Sequence, residues 1–155
     1  MQELSVAIIG VGYVGATCAA CVAELGHRVK VYDRISAKPK DLVEGNIKIM
    51  EEGLDVLIEK NKHSITPASQ ITELNECDLF FLCVDTPFNG NHLDMTSIIS
   101  VVKELVDTLG HEIFSKEIVI RSTVQPGLLE VLRTQVESLD DYPIFLNPEF
   151  LREGT

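Results

Sequence analysis

Three glycines and a carboxylate carry the first chemical signal. Residues 10–15 read GVGYVG, which places Gly10, Gly12 and Gly15 in the G-x-G-x-x-G spacing, and a short apolar run further on ends at Asp33. Each glycine answers a separate need: Gly10 a tight turn, Gly12 room for a pyrophosphate to approach the backbone, Gly15 close packing of a helix on a sheet. A helix starting at this point offers unpaired N–H groups and the positive end of its dipole to phosphate. A carboxylate at Asp33 can take both ribose hydroxyls and repel a 2′-phosphate, which favours NAD over NADP. Arg34 beside it weakens that preference, because an arginine there can receive a 2′-phosphate. A second chemical feature is NPEFLREGT at residues 147–155, where Glu149 and Glu153 stand four apart. In a helix, residues at that spacing share a face, so both acids would address one place.

A glycine motif gains meaning only between a strand and a helix, so the elements around it decide its weight. LSVAIIG (4–10) is an apolar run of strand length, and YVGATCAACVAEL (13–25) is a helix of small residues that Gly26 ends. HRVKVYD (27–33) is a second strand, followed by helical patches around PKDLVEG and GLDVLIEKN and a third strand at HSIT (63–66). PASQITELNEC (67–77) reads as a helix with Pro67 in its first turn. DLFFLCV (78–84) is an unbroken apolar run, the mark of a strand covered on both faces. Asp94 is placed to cap a helix through MTSIISVVKELVDTLG, whose apolar residues recur at three and four. EIVIRS (117–122) and YPIFLN (142–147) add two strands around a helix starting near Pro126. Alternation of this kind predicts an α/β chain, a Rossmann-type doubly wound and mostly parallel six-stranded sheet with helices on both faces. In such sheets ligands collect outside the carboxyl ends of the strands, so the residues following strands one, two, four, five and six are the chemical ones.

Composition narrows the partners. The 155 residues suit a single domain, and 45% hydrophobic with 24% charged residues is globular usage. A net charge of -11 and a pI near 4.7 argue against nucleic acid and anionic membrane, both of which need clustered Lys and Arg. Val6 to Ala23 carries no charge and approaches the length of a membrane span, but its glycines read as strand, turn and helix. The acid in MQELS also argues against a secretion signal. Cys18 and Cys21 form a C-x-x-C inside the first helix, and neither they nor His27, His63, His92 and His111 complete a metal-binding spacing, so no metal is expected. Cys18, Cys21, Cys77 and Cys83 read as reduced core thiols of a cytoplasmic chain.

GVGYVGATCAACVAELGH, CVDTP, RSTVQPG and NPEFLREGT, in this order and at these separations, resemble the N-terminal NAD-binding domain of the UDP-glucose/GDP-mannose dehydrogenase family. The likeness covers nearly the whole chain, 1–155, and its last two motifs are more specific than its first. It implies a two-step oxidation of the C6 alcohol of a nucleotide sugar, UDP-glucose or GDP-mannose, to a carboxylate, with NAD as oxidant and a cysteine thioester between the steps. By similarity Gly10, Gly12 and Gly15 hold the pyrophosphate, Tyr13 and Val14 also bind the cofactor, Asp33 and Lys38 take the adenosine ribose, and Val84, Thr86 and Pro87 line the cofactor. Ser122 and Thr123 fall near the nicotinamide, where Thr123 also helps place a water. Glu149 matches the acid/base of the hydrolytic step, Glu153 a cofactor and water contact, and Phe150 and Leu151 face the sugar nucleotide.

Two places depart from the family pattern. Asp85 stands where a glycine is usual, and a carboxylate there should weaken diphosphate binding unless it points away. NIKIMEEGL puts Lys48, Met50 and Glu52 where prolines and an aromatic are usual, which bears on the sugar-nucleotide contacts. The family's nucleophilic cysteine, lysine base and asparagine partner lie beyond NPEFLREGT, so these residues alone are expected to hold cofactor without turnover, in a parent that forms a homodimer. Cys83 is a poor substitute nucleophile, being apolar in setting and followed by Asp85. The alternative is a NAD-sensing or scaffold domain that has lost the chemistry. A hydroxyacid dehydrogenase of the same fold has no use for NPEFLREG.

Overall fold

The computed structural model describes residues 2–46, 48–136, 139 and 142–149. At its centre lies β1 (Ser5–Ile9), buried at every position. Alternate side chains of β1 enter two cores, as the two-residue period of a strand requires. Val6 and Ile8 meet Ala16, Ala19, Ala20 and Ala23 of α1 (Tyr13–Glu24), with Leu42 of α2 (Ala37–Val43) and Leu54 and Ile58 of α3 (Leu54–Asn61) closing that side. The alanines let α1 lie close to the sheet, which holds the helix start near the strand end. Ala7 and Ile9 face the other core, built from α4 (Thr96–Leu109) and α5 (Leu128–Gln135). Ile98, Val102, Leu105 and Leu109 recur at four, three and four along α4 and form its buried stripe. Each fully buried Leu or Ile contributes about 1.5–3 kcal/mol.

Every pairing among β1, β2 (Arg28–Tyr32), β3 (Ile65–Pro67), β4 (Leu79–Leu82), β5 (Glu117–Ile120) and β6 (Ile144–Leu146) is parallel, in the order β3-β2-β1-β4-β5-β6. The chain builds outward from β1 on one side, then returns to β4 on the other. That reversal opens a crevice between the ends of β1 and β4, where Ile9 pairs with Leu82. Asp78 fixes the register at the opposite end: its Oδ2 accepts the Ser5 N–H at 2.9 Å, and its own N–H donates to the Ser5 carbonyl at 2.7 Å.

Three sequence expectations change. Pro67 is the last residue of β3, and of 67–77 only Ile71–Leu74 coils, as a single 3₁₀ turn. The Glu73 carboxylate takes the Ser69 and Gln70 N–H groups, both at 3.0 Å, and so stabilises a tight turn rather than a longer helix. Asp94 lies one place before the helix cap, Met95, yet its Oδ1 still accepts the Thr96 N–H at 2.9 Å. The sixth strand shortens to Ile144–Leu146, because Tyr142 turns inward and donates its hydroxyl to the Lys116 carbonyl at 2.6 Å. Phe145 and Leu146 stay exposed on this edge strand. The uncharged stretch from Val6 folds as buried strand, turn and helix, and no described helix is long and apolar enough to cross a membrane.

Candidate functional site

Gly10 leaves β1 with φ +97° and donates its N–H to the Tyr32 carbonyl at 2.8 Å, linking the ends of β1 and β2. A Cβ on Gly10 would lie 2.5 Å from the Cys83 carbonyl oxygen, and one on Gly15 only 1.8 Å from that of Gly10. Both positions exclude any side chain. Gly12 is different: a Cβ there would meet nothing nearer than an Asp85 carboxylate oxygen at 4.0 Å. Its space is open, and it caps α1 without a side-chain hydrogen bond. An approach to the N–H groups of the first turn is therefore unobstructed by a side-chain cap.

Asp33 is buried, and both of its oxygens are engaged. Oδ2 accepts the Val11 N–H and Oδ1 the Ile35 N–H, each at 2.8 Å, while the Lys38 ammonium lies 3.6 Å from Oδ2. The carboxylate that the sequence assigns to a ribose thus also anchors the glycine loop. Each oxygen keeps a further lone pair for a ligand hydroxyl.

Two cavities meet at this point. The first, about 230 Å³, runs from Gly10 and Gly12 past Asp33, Arg34 and Lys38 to a wall of α4 that carries Ser97, Ser100 and Glu104. Burial, then the nearby Glu104 and Asp33, push the hydroxyl of Tyr32, at the end of β2 in the same cavity, above its ordinary value. The second cavity, about 250 Å³, is bounded by Gly12, Tyr13, Val14, Thr86, Thr123 and Glu149, with Arg121 and Ser122 behind them. Gly12, Cys83, Val84 and Asp85 border both. Two hydroxyls brace the second cavity. Ser122 Oγ donates to the Val84 carbonyl at 2.7 Å and Thr86 Oγ1 to that of Thr123 at 2.8 Å, tying the exits of β4 and β5 together. At the far side Arg121 pairs through Nη2 with Glu149 and through Nη1 with the carbonyl and side chain of Asn147. Ion pair and amide contact together hold the residues after β6 against the end of β5.

A cleft at the reversal point of a doubly wound sheet is shared by many dehydrogenases; sequence comparison separates them. The model of the UDP-glucose/GDP-mannose dehydrogenase family, NAD binding domain, matches residues 4–155. The chain belongs to this family. Its relatives include the GDP-mannose 6-dehydrogenase of Pseudomonas aeruginosa, 33% identical over 98% of this chain and 37% of that protein. The UDP-glucose 6-dehydrogenase AglM of Haloferax volcanii is 36% identical over 99% of this chain and 37% of that protein. Among solved structures, a ternary complex of the P. aeruginosa GDP-mannose dehydrogenase superposes with a TM-score of 0.84 at 31% identity, covering 96% of this chain and 37% of the other. A UDP-glucose dehydrogenase from Pyrobaculum islandicum gives 0.81 at 29%, covering 99% and 38%. The chain thus spans little more than a third of these relatives, the part that the family description assigns to NAD.

Most of the residues expected from the family motifs do converge. Gly10, Gly12, Asp33, Lys38 and Val84 border the first cavity, and Tyr13, Val14, Thr86, Ser122, Thr123 and Glu149 border the second, with Gly12 and Val84 common to both. Gly15 lines neither, acting instead through its contact with Gly10. Pro87 lines neither as well: its carbonyl accepts the Asp94 N–H at 2.8 Å and begins a hairpin that leads away. Glu149 sits in non-helical backbone, and Glu153, Phe150 and Leu151 lie outside the described residues, as does any helical face shared by the two acids. Lys48, Met50 and Glu52 are exposed and border neither cavity. Asp85 does not point away.

Arg121, Ser97, Ser100 and Glu104 were not anticipated. The RSTVQPG motif contains Arg121, and the need of a shielded Glu149 for a cation would have found it. The polar side of α4 facing the strand ends was the signal for the other three. Among the thiols, Cys83 is pushed well up by its hydrogen bond with Cys18 and by burial. Cys18 is lowered, first by that bond and further by Arg121, so of the two thiols Cys83 is the harder to ionise. Cys83 is therefore poorly suited to nucleophilic attack. Among the described residues no group of three or more His, Cys, Asp or Glu is placed to hold a metal ion.

Proposed function

We propose that one NAD molecule spans the two cavities and that the chain is the cofactor-binding part of a nucleotide-sugar 6-dehydrogenase. The reading rests above all on the joint between the cavities, where Gly12 leaves open space before the uncapped start of α1. Gly10, Gly12, Tyr13, Val14 and Gly15 form the pyrophosphate cradle. Asp33 and Lys38 receive the adenosine ribose in the first cavity. Val84, Thr86, Ser122 and Thr123 surround the nicotinamide in the second, with Pro87 behind them and Glu153 a further contact. When bound, NAD supplies the hydride acceptor for oxidation of an alcohol carbon.

Within this proposal Thr123 and Glu149 act on the substrate side. A carboxylate at the cavity wall can take a proton from water and return it as charge shifts, the need of thioester hydrolysis. Arg121 keeps Glu149 in place for that role. Phe150 and Leu151 face the sugar nucleotide, of the GDP-mannose or UDP-glucose type. Cytoplasmic residence, supported by four free cysteines, and a homodimeric parent belong to the same reading. Calorimetric titration tests it: NAD should bind at submillimolar to millimolar concentration and Asp33→Ala should weaken it at least tenfold. No heat with NAD, or an Asp33→Ala titration identical to that of the unaltered chain, would remove the assignment.

A sensing or scaffold role is the second reading, favoured by Asp85 at the joint of the cavities. Turnover of a nucleotide sugar by the full-length parent decides between them.

A further inference from the structure

The joint between the cavities carries a charge that cofactor binding has to overcome. Asp85 follows β4, borders both cavities, and brings Oδ1 to 4.0 Å from where a Cβ on Gly12 would stand. Any ligand that reaches from one cavity to the other passes between these residues. The described cations around the cleft are Arg34, Lys38 and Arg121. Lys38 is committed to Asp33 and Arg121 to Glu149. Asp85 itself makes no hydrogen bond or ion pair with any described residue, so no direct partner among them neutralises its charge.

We propose that Asp85 is an affinity- and charge-selecting residue, which weakens ligands carrying a diphosphate at the joint and leaves uncharged nucleosides unaffected. The proposal rests on the reading of the two cavities as one dinucleotide site. An exposed carboxylate a few ångströms from a diphosphate repels it through a largely aqueous medium, so the effect is moderate and screened by salt. The helix N-terminus attracts the diphosphate from one side and Asp85 opposes it from the other. The balance between them makes affinity depend on the charge of the ligand's linker rather than on its adenosine.

Calorimetric titration of the 155-residue chain with NAD and separately with adenosine, for the unaltered protein, Asp85→Asn and Asp85→Gly, tests this. Asp85→Asn keeps the shape and removes the charge; it should tighten NAD roughly five- to tenfold and leave adenosine unchanged. The gain should shrink toward unity in about 1 M salt, where the Debye length falls to about 3 Å. Equal NAD affinity in the unaltered and Asn proteins overturns the proposal, and so does an equal gain for adenosine. Tightening by Asp85→Gly alone also overturns it, because that outcome assigns the effect to bulk. If adenosine binds and NAD binds no variant, or if neither ligand binds any of the three, the dinucleotide reading itself falls.

Discussion

The two cavities share a floor and differ in what holds their walls. Around the first, the contacts are backbone-centred: the Gly10 N–H on Tyr32, the Val11 and Ile35 N–H groups on Asp33, and the Gly10 carbonyl packed against Gly15. Around the second, side chains do the bracing. Ser122 and Thr86 bridge neighbouring strand exits, and Arg121 holds Asn147 and Glu149 beside an edge strand whose Phe145 and Leu146 are exposed. Backbone contacts follow from glycine spacing and strand order, so the first cavity is a property of the fold. The second depends on individual side chains, and is the place where members of a family can diverge.

That contrast can be broken, beginning at the backbone-held side. Gly15→Ala places a methyl 1.8 Å from the Gly10 carbonyl and should cost about 3 kcal/mol or more, with loss of NAD binding. Chemical denaturation checks it, and a variant of normal stability would mean that α1 shifts freely. Asp33→Ala strands the Val11 and Ile35 N–H groups and should cost about 2–3 kcal/mol by the same measurement, beyond its effect on ligand. On the side-chain-held side Arg121→Met leaves Glu149 without its cation. Because both groups are partly exposed, a smaller loss of about 1–2 kcal/mol is expected, with adenosine affinity unchanged. A fall in adenosine affinity as well would show the two cavities to be coupled.

The smallest effect concerns the outer edge. Burial first, then Glu117, raises the Tyr142 hydroxyl above its ordinary 10.0. The folded chain therefore keeps that proton at pH values where the unfolded chain releases it. The associated stability is complete below pH 10 and is lost as pH rises from there through the folded value. Tyr142→Phe should lower stability by about 1 kcal/mol at neutral pH, through the lost bond to Lys116, and flatten the alkaline decline. Denaturation midpoints between pH 8 and 11, compared for the two proteins, measure both effects.

The same division explains what the sequence made legible. Glycine spacing, the alanines of α1 and the apolar runs of β1 and β4 dictate local geometry, and from them the sheet, its parallel pairing and most of the first cavity follow. Residues 67–77 misled because Pro67 also suits a strand end, and the Glu73 carboxylate closes a turn as readily as it starts a helix. Asp33 was read for a ligand alone, since its bond to Val11 spans a pairing that only the folded sheet creates. Arg121 escaped for a related reason: its partner Glu149 is brought to it by the residues after β6, through a strand pairing that only the folded sheet creates. The orientation of Asp85 depends on the loop after β4, which carries no periodic signal.

One NAD molecule bridging two differently built cavities is tested most directly by amide NMR spectra of the isotopically labelled chain, titrated in turn with adenosine and NAD. Adenosine should move the signals of Val11 and of Asp33 to Ile35. NAD should move those and, in addition, Tyr13, Val14, Thr86, Ser122 and Thr123. NAD shifts confined to the first group, or none at millimolar ligand, would contradict it.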